Sequence, residues 1–270
     1  MIKKCVFCGH DYSVSRGCVI KKRKYCSYLC KKNYWLKRGN KSGVFLGDKK
    51  VRGQEIRRTQ SLSTIQKQVS YGTILGDATL SLTRKGSSSL VFEHTEKSLD
   101  YVLLKLNILK NLVIQEKPLY RKQRSSSVYK GRVFNSKASY KGKTVTHQDF
   151  DEMNNLFYKQ RSGKRIKIFP KVFCKTLSVL SVLFWYMDDG CLAPQKYINL
   201  HTNNFSKEEH SLIVNTFRKR FGLNVKIYHI KTQGRNFIRI NKEDTSALMM
   251  LFTEHREYIP QSMEYKFTFF

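Results

Sequence analysis

Two apolar stretches with helical spacing each run into a carboxylate followed by a small residue. The stronger stretch covers residues 177–187 and continues into Asp-Asp-Gly at 188–190. The weaker stretch covers residues 71–75 and continues into Gly-Asp-Ala at 76–78. A helix C-terminus carries a partial negative charge, so a carboxylate there is disfavoured by about 0.3–1 kcal/mol. We therefore expect a positive group opposite Asp189, either a metal ion or a lysine.

After the first stretch, the apolar period changes from helical to alternating. Leu80 and Leu82 alternate with polar residues, which predicts a strand, and a second strand is predicted near residues 90–95. Residues 99–113 then carry apolar side chains at helical spacing, and a helix near residues 149–158 follows. The apolar face predicted for the middle helix consists of Leu99, Val102, Leu103, Leu106 and Val113.

The same order of elements returns in the second half. Ile198 and Leu200 alternate with polar residues, which predicts a strand with one polar face. A helix ending at Gly222, a hairpin over residues 225–240 and a last helix around residues 248–252 follow. Both halves therefore read helix, two strands, helix, strands, helix.

Capping boxes mark the start of one helix in each half. Ser63 with Gln66 precedes the first motif stretch, and Ser206 with Glu209 precedes a helix of the second half.

Two similar helices at domain spacing, each delivering one carboxylate from its end, indicate a duplicated domain with a shared active centre. Over residues 62–267 the sequence resembles the LAGLIDADG homing endonucleases in their single-chain, two-repeat form. The resemblance implies an α+β fold, a pseudo-twofold duplicated αββαββα saddle whose sheet faces line a concave groove over DNA. We place the first repeat at residues 62–160 and the second at residues 161–270.

The resemblance also implies a set of active-site residues. In that family the two motif helices pack side by side, and each presents one acidic residue to divalent metal at the cut site. The matching acids are Asp77 and Asp189, with Ala78 and Gly190 beside them as further metal positions. Oxygen ligands and phosphate chemistry favour Mg²⁺.

Family members often place a lysine beside each centre. Lys167 stands where one such lysine falls, and Lys266 matches the other in the ending Ile-Pro-x-x-Met-x-Tyr-Lys at 259–266. Lys164 and Arg165 compete with Lys167 for this role. A lysine can orient water or stabilise charge that develops in the transition state, and partial burial lowers its pKa.

Gly72 and Gly76 lie four residues apart on one helical face, so the partner helix can approach closely. The second motif departs from the family pattern, because Phe184 and Asp188 stand where small residues are usual. We expect the glycines to accommodate Phe184 and the helix contact to be asymmetric.

Net charge narrows the possible partners. The chain of 270 residues has a formal net charge of +31, which points to a polyanion, most simply nucleic acid. No uninterrupted apolar run approaches the length that a membrane helix needs, and no secretory signal precedes the basic start. We expect a monomer without membrane contact in a reducing compartment, either bacterial or phage-infected cytoplasm or an organelle matrix.

Four of the seven cysteines form a pattern with metal-ligand spacing near the N-terminus. A C-x2-C pair faces a C-x3-C pair, which predicts tetrahedral Zn²⁺ in a module resembling treble-clef-type fingers. The predicted ligands are Cys5, Cys8, Cys26 and Cys30. Cys18 and His10 are possible substitute ligands. We place the zinc-binding module at residues 1–39 and a basic linker at residues 40–61.

Residues 117–148 carry nine lysines and arginines with no acid, interleaved with aromatic residues, as expected for strands and loops along a phosphate backbone. On the second-half strands, polar side chains suit base edges. The predicted contacts to a long, asymmetric DNA duplex are Arg84, Lys85, Arg121, Lys122, Arg124, Lys130, Arg132, Tyr197, Asn199, His201, Lys226, Lys231, Arg235 and Arg239.

Three functions fit these features. The favoured one is a site-specific endonuclease that cuts double-stranded DNA with divalent metal, of the intron or intein homing type. An RNA-binding intron maturase on the same scaffold is the second, and a DNA-binding protein that has lost cleavage is the third. Both acids and both candidate lysines are present, so the sequence gives no sign of lost cleavage.

Overall fold

The computed structural model describes residues 2–6, 8–13, 24–26, 30, 60–113, 118–121, 127–129, 132–134, 137–230 and 235–267. Contacts along the chain group into two compact units, Met1–Arg58 and Thr59–Phe270. Within the described ranges, no helix combines the length and the apolar character that crossing a bilayer demands.

The first unit contains a small antiparallel hairpin. Strand β1 (Ile2–Lys4) pairs with β2 (Asp11–Ser13). The turn between them is closed by backbone hydrogen bonds from Cys5 N to His10 O and from Gly9 N to Cys5 O, each 2.9 Å. Gly9 has φ +74°, a conformation that glycine adopts without steric cost. This turn places Cys5 and Cys8 on one tight loop.

The first half of the larger unit follows the predicted order of elements. Its elements are α1 (Thr64–Leu75), β3 (Thr79–Leu82), β4 (Ser88–Thr95), α2 (Leu99–Ile108), β5 (Leu119–Arg121), β6 (Ser127–Tyr129), β7 (Arg132–Phe134), β8 (Ser139–Lys143) and α3 (Gln148–Phe157). Four strands form an antiparallel sheet in the order β3-β4-β8-β5, and β6 pairs with β7 separately.

A short hairpin follows the first half. Its strands are β9 (Tyr158–Arg161) and β10 (Lys164–Lys167). The two turn residues, Ser162 and Gly163, both have positive φ, at +49° and +71°. This is the turn geometry that matches the twist of two-residue hairpins. The hairpin ends at Lys167, which is one of the predicted site residues.

The second half repeats the topology of the first. Its elements are α4 (Phe173–Thr176), α5 (Val179–Asp189), β11 (Gly190–Leu192), β12 (Ile198–His201), α6 (Lys207–Phe221), β13 (Val225–Ile230), β14 (Arg235–Ile240), α7 (Lys242–Thr253) and the 3-10 turns Arg256–Tyr258 and Gln261–Lys266. The antiparallel sheet order is β11-β12-β14-β13. In both sheets the third and fourth strands are exchanged relative to chain order, so the duplication extends to strand order.

Helices α1 and α5 pack against each other through the two predicted glycines. A Cβ on Gly72 would lie 2.1 Å from the Ser181 carbonyl oxygen and 2.8 Å from Phe184 Cβ. A Cβ on Gly76 would lie 2.4 Å from Asp188 Cβ. The predicted close approach is confirmed, and Phe184 lies against Gly72 as expected.

The core of the second half is aromatic. Trp185 is fully buried and contacts Phe169, Phe205 and Phe217, with ring centroids 6.2–6.5 Å apart. Tyr186, on the next position of α5, stacks on Phe252 instead. Because α5 is buried on nearly every side, its acidic end is held in a fixed position.

Both predicted capping boxes are present, with Ser63 and Ser206 as N-caps. The helix limits differ in two places. Helix α5 begins at Val179, because Ser178 caps it by accepting a hydrogen bond from Ser181 N. Helix α2 ends at Ile108, so Val113 lies outside it. Leu103, predicted for the apolar face of α2, is 43% exposed, and Lys105 lies buried instead.

Candidate active site at the ends of the paired helices

The two predicted acids lie at the ends of the two packed helices. Asp77 follows the C-cap of α1, and Asp189 is the last residue of α5. Burial raises the pKa of Asp189 to about 7, and the neighbouring charges of Asp77 and Asp188 add to the shift. Partial burial and then Asp188 likewise raise the pKa of Asp77. A carboxylate whose pKa is raised by burial and by a neighbouring carboxylate is suited to share a cation with that neighbour.

Lys167 reaches the end of α1 from β10. Its Nζ donates to the carbonyl oxygens of Gly76 at 2.6 Å and Ala78 at 3.1 Å. Burial lowers the pKa of Lys167, while Asp189, Asp188 and Asp77 oppose the shift. The competing residues lie elsewhere: Lys164 is exposed, and the Arg165 guanidinium stacks 3.5 Å over the Tyr158 ring.

Lys266 makes the corresponding contact at the end of α5. Its Nζ donates to the carbonyl oxygens of Met187 at 2.6 Å and Tyr186 at 3.4 Å. Lys266 is 6% exposed, and burial lowers its pKa against the pull of Asp188, Asp77 and Asp189. Each helix C-terminus thus lies beside a carboxylate and a lysine, half-buried Lys167 or buried Lys266, so the positive group expected there is present.

The sequence pattern did not predict a group of buried polar residues that lies next to Asp77. The Asp188 side chain is fully buried, and its Oδ1 accepts hydrogen bonds from Lys105 Nζ and Tyr101 OH, each at 2.8 Å. Lys105 Nζ also lies 3.0 Å from His94 Nε2. Burial, followed by the charge of Lys105, lowers the pKa of His94 to about 4, so His94 is neutral at pH 7.

A lysine at a predicted apolar helix position is the signal that could have found this group. Lys105 lies three residues after Val102 and one before Leu106, both of them buried, so it faces inward. Such a lysine needs a buried acid. The departure at Asp188, noted as a helix-packing anomaly, supplies that acid.

The polar residues of the second sheet lie in one row across the strands. Pairing places Lys226 opposite Arg239, Arg239 opposite Asn199, and Asn199 opposite Cys191, two residues beyond Asp189. Residues paired across neighbouring strands project to the same face. This row therefore starts close to the carboxylates and runs to the edge of the sheet.

Arg239 is held rigidly within that row. Its Nε donates to Asn199 Oδ1 at 2.9 Å, and its guanidinium lies 3.9 Å from the Tyr197 ring centroid and 4.2 Å from that of Tyr228. His201 lies further along β12 at an exposed position near Cys191, with its Nε2 3.9 Å from Cys191 Sγ. Burial lowers the pKa of His201.

The remaining predicted DNA contacts are more scattered. Arg84 and Lys85 are exposed in the turn between β3 and β4. Arg121 NH1 lies 3.1 Å from Glu93 Oε2. Lys122, Arg124, Lys130 and Lys231 lie outside the described residues, as do the side chains of Arg132 and Arg235.

The four predicted zinc ligands come together in the first unit. The Sγ atoms of four cysteines all lie within 4.8 Å of one another: Cys5, Cys8, Cys26 and Cys30. Cys26 Sγ is 3.6 Å from Cys8 Sγ and 3.4 Å from Cys30 Sγ. The His10 ring contacts the Cys8 carbonyl oxygen at 3.2 Å, and Cys18 lies outside the described residues.

Comparison with known proteins agrees with the fold. Residues 67–248 match the sequence profile of the LAGLIDADG DNA endonuclease family. The "Probable intron-encoded endonuclease 1" of Wickerhamomyces canadensis is 27% identical over 216 residues, 77% of this chain and 86% of that protein. The "Cytochrome b mRNA maturase bI2" of Saccharomyces cerevisiae is 27% identical over 209 residues, 73% of this chain but 45% of the maturase.

A solved structure has the same fold. The homing endonuclease I-WcaI, bound to its DNA recognition sequence, superposes with a TM-score of 0.66 and 25% identity, covering 80% of this chain and 92% of that one. The matched profile spans both motif helices and both sheets. This chain therefore belongs to the LAGLIDADG DNA endonuclease family.

Proposed function

We propose that the chain is a site-specific homing endonuclease that hydrolyses both strands of a DNA duplex with divalent metal. One observation carries the proposal: the paired helices α1 and α5 each end beside a carboxylate and a lysine that donates to the carbonyls there, Asp77 with Lys167 and Asp189 with Lys266. Membership of the family and the similarity to intron-encoded endonucleases support it.

The donor chemistry at the helix ends fits Mg²⁺. Asp77 and Asp189 supply carboxylate oxygens whose raised pKa values reflect unfavourable burial of negative charge. Ala78 and Gly190 supply nearby backbone carbonyl oxygens, the other ligand type that hard cations take. A bound Mg²⁺ would neutralise phosphate charge and activate a water. The two aspartates would hold it between the repeats.

Lys167 and Lys266 have the properties of groups that assist hydrolysis. Each ammonium uses two of its three N–H donors on helix carbonyls among the described residues, so one donor is left for a water or a phosphate oxygen. Both lysines have lowered pKa values because they are buried. We assign them the orientation of the attacking water and the stabilisation of charge developing on the phosphate.

We assign sequence reading to the polar row of the second sheet. The guanidinium of Arg239 has two terminal NH2 groups that can donate hydrogen bonds. The side chain is fixed by Asn199 and stacks on two tyrosine rings. A fixed guanidinium is suited to bidentate contact with a guanine edge. Arg84, Lys85 and Lys226 are exposed cations that suit phosphates.

In the first unit we propose a structural Zn²⁺ at the four clustered cysteines. Four sulfur atoms at mutual distances of 4.8 Å or less match the donor set of a closed tetrahedral site. Thiolate ligands persist in a reducing compartment, where we place the protein. A zinc-stapled basic unit would add affinity for DNA to the larger unit.

The function is tested with a duplex that joins the sequences flanking the chain's own reading frame. Purified protein with Mg²⁺ should convert this duplex into two defined fragments and leave an unrelated duplex intact. Binding without cleavage would favour a silent DNA-binding protein instead. The similarity to a cytochrome b mRNA maturase makes RNA the second candidate. Faster splicing of the transcript, without DNA cleavage, would favour that function.

A further inference from the structure

Asp188, Lys105 and His94 form a hydrogen-bonded chain whose outer end faces Asp77 without a direct hydrogen bond. Lys105 Nζ lies 2.8 Å from Asp188 Oδ1 and 3.0 Å from His94 Nε2, and His94 Nδ1 lies 3.8 Å from Asp77 Oδ2. Asp188 also touches Asp77 directly, because its Oδ2 accepts from Asp77 N at 3.3 Å. The side chains of Asp188, Lys105 and His94 are 0%, 1% and 7% exposed.

This cluster carries its own cation. Oxygen and nitrogen atoms of Asp77, His94 and Asp188 come within 4.8 Å of one another, which resembles a metal site. The ammonium of Lys105, however, lies within hydrogen-bond distance of both Asp188 and His94. The positive charge at this position is therefore covalently attached to α2, and an exchangeable ion would compete with it.

Lys105 also determines which nitrogen of His94 carries the proton. An ammonium group only donates hydrogen bonds, so His94 Nε2 must accept the bond from Lys105. The proton of the neutral ring then lies on Nδ1, the nitrogen that faces Asp77 Oδ2. The chain thereby turns an N–H toward the Asp77 carboxylate, whose Oδ2 lies 3.8 Å away.

The second half lacks this chain at the equivalent positions. Strand pairing sets Val91 opposite Thr79 and Asn199 opposite Cys191, and Thr79 and Cys191 each lie two residues after a motif aspartate. Counted along the matched strands, His94 corresponds to Thr202. Counted from the N-caps of α2 and α6, Lys105 corresponds to Ile213. Asp188 and Gly76 each precede a motif aspartate and so correspond to each other.

These counterparts provide no similar support for Asp189. Thr202 Oγ1 is bonded to His210 Nε2 at 2.8 Å, and Ile213 is a fully buried apolar side chain. Gly76 has no side chain. The two carboxylates are related by the duplication, yet their surroundings differ in charge, hydrogen bonding and polarity.

We propose that Asp188, Lys105 and His94 are positioning residues that orient the Asp77 carboxylate, and that the two strands of the target are therefore cut with different dependence on them. This inference rests on the proposed nuclease function. Groups that orient a metal-binding side chain typically change affinity or activity by about 10- to 100-fold when removed. Only one strand should show a loss of that size.

The first experiment measures cleavage of each strand separately on a duplex labelled at either end. We expect His94→Ala to slow one strand about 10- to 100-fold more than the other. His94→Asn, which restores an N–H donor near the position of Nδ1, should recover part of the loss. The equivalent change in the second half, Thr202→Ala, should leave the ratio of strand rates unchanged. Equal slowing of both strands by His94→Ala, or no slowing, would overturn the proposal.

Single changes at the buried pair risk unfolding the protein, because each leaves an unpaired charge. The double variant Lys105→Met with Asp188→Asn removes both charges together, and each replacement is close in volume to the residue it replaces. We expect the folded double variant to show the same strand imbalance as His94→Ala. Unchanged strand rates in the folded double variant would contradict the role of the pair.

A second readout needs neither metal nor cleavage. Nitrogen-15 NMR of histidine-labelled, metal-free protein at pH 7 should place the His94 proton on Nδ1, and the double variant should lose that preference. A proton on Nε2, or a doubly protonated ring, would overturn the proposal whatever the nuclease assay gives. If the NMR result holds but wild-type protein cuts no duplex, the proposed function fails while the hydrogen-bond chain remains.

Discussion

At the residue scale, the carboxylates of Asp77 and Asp189 serve the proposed metal binding, and their partial burial lowers the stability of the fold. We predict that Asp77→Asn and Asp189→Asn each abolish double-strand cleavage while leaving DNA affinity largely intact, because an amide binds divalent metal far less well than a carboxylate. Gel-shift and cleavage assays on the same duplex separate the two effects. Asp244→Asn, a change at a half-buried carboxylate far from the site in sequence that accepts a hydrogen bond from Asn224 N, is the matched control. Full cutting by either active-site variant would contradict the assignment.

The raised pKa of Asp189 predicts that the stability of the fold depends on pH. Its pKa is about 7 in the folded chain against about 3.9 in an unfolded one. Between these values the unfolded state loses a proton that the folded state retains, so this group lowers stability as pH rises from about 4 to about 7. Asp189→Asn removes the effect. Metal-free Asp189→Asn should therefore be more stable than wild type, by a larger margin at pH 8 than at pH 5, in urea unfolding. An equal margin at both pH values would argue against the raised pKa.

Arg239 decides between specific reading and general attraction. Arg239→Ala should remove about 1–3 kcal/mol of discrimination at one or two base pairs, because its guanidinium is fixed for contact with a base edge. Its partner across the strands, Lys226, is an exposed cation, so Lys226→Ala should weaken all sequences alike. Cleavage profiling on a randomised target library distinguishes the two patterns. A uniform loss for Arg239→Ala would indicate that it binds phosphate.

At the element scale, the contact between α1 and α5 depends on the absence of a side chain at Gly72. An alanine Cβ there would lie 2.1 Å from a backbone oxygen of α5, so one helix must shift. We predict that Gly72→Ala lowers the free energy of unfolding by about 1–3 kcal/mol. Asn215→Ala, at an exposed position inside α6, should stay within about 0.5 kcal/mol of wild type. Thermal and urea unfolding of both variants give the comparison.

Elements that depend on local pattern were predictable. The capping boxes at Ser63 and Ser206 and the alternation around Ile198 are signals within a few residues, and the structure contains all three features. The end of α2 and the exposure of Leu103 were not, because they depend on what packs against the helix.

The candidate site divides in the same way. Asp77, Asp189, Lys167 and Lys266 stand in motifs that can be read along the chain, and the structure brings all four to the helix ends. The buried pair of Lys105 and Asp188 joins residues 83 positions apart, so the sequence can mark Lys105 as inward-facing but does not identify its partner. A lysine placed by sequence alone is assigned to the surface, where most lysines are found.

At the scale of the whole molecule, a net charge of +31 is distributed over two units that are stabilised in different ways. The larger unit has an extensive apolar core, whereas the smaller one holds four cysteines around a short hairpin. Small units of this kind depend on a metal for stability. The proposed Zn²⁺ would therefore be a condition for the folding of the first unit.

We predict one zinc per chain in protein purified without chelator. Cys8→Ser should lower the zinc content, because it removes one of the four sulfur atoms of the cluster. Cys174→Ser, in the larger unit and outside the cluster, should leave it unchanged. Elemental analysis of the three proteins provides the test. Absence of zinc from the wild-type protein would rule out the assignment.

The contact between a glycine on α1 and Phe184 on α5 has a consequence for how the two halves fit together. A dimer of two identical halves would have to place glycine against glycine or phenylalanine against phenylalanine, and neither pair reproduces the present contact. The two halves are therefore complementary in shape rather than interchangeable. Once such a pair of contacts is established, separation into two equal subunits would require compensating changes on both helices.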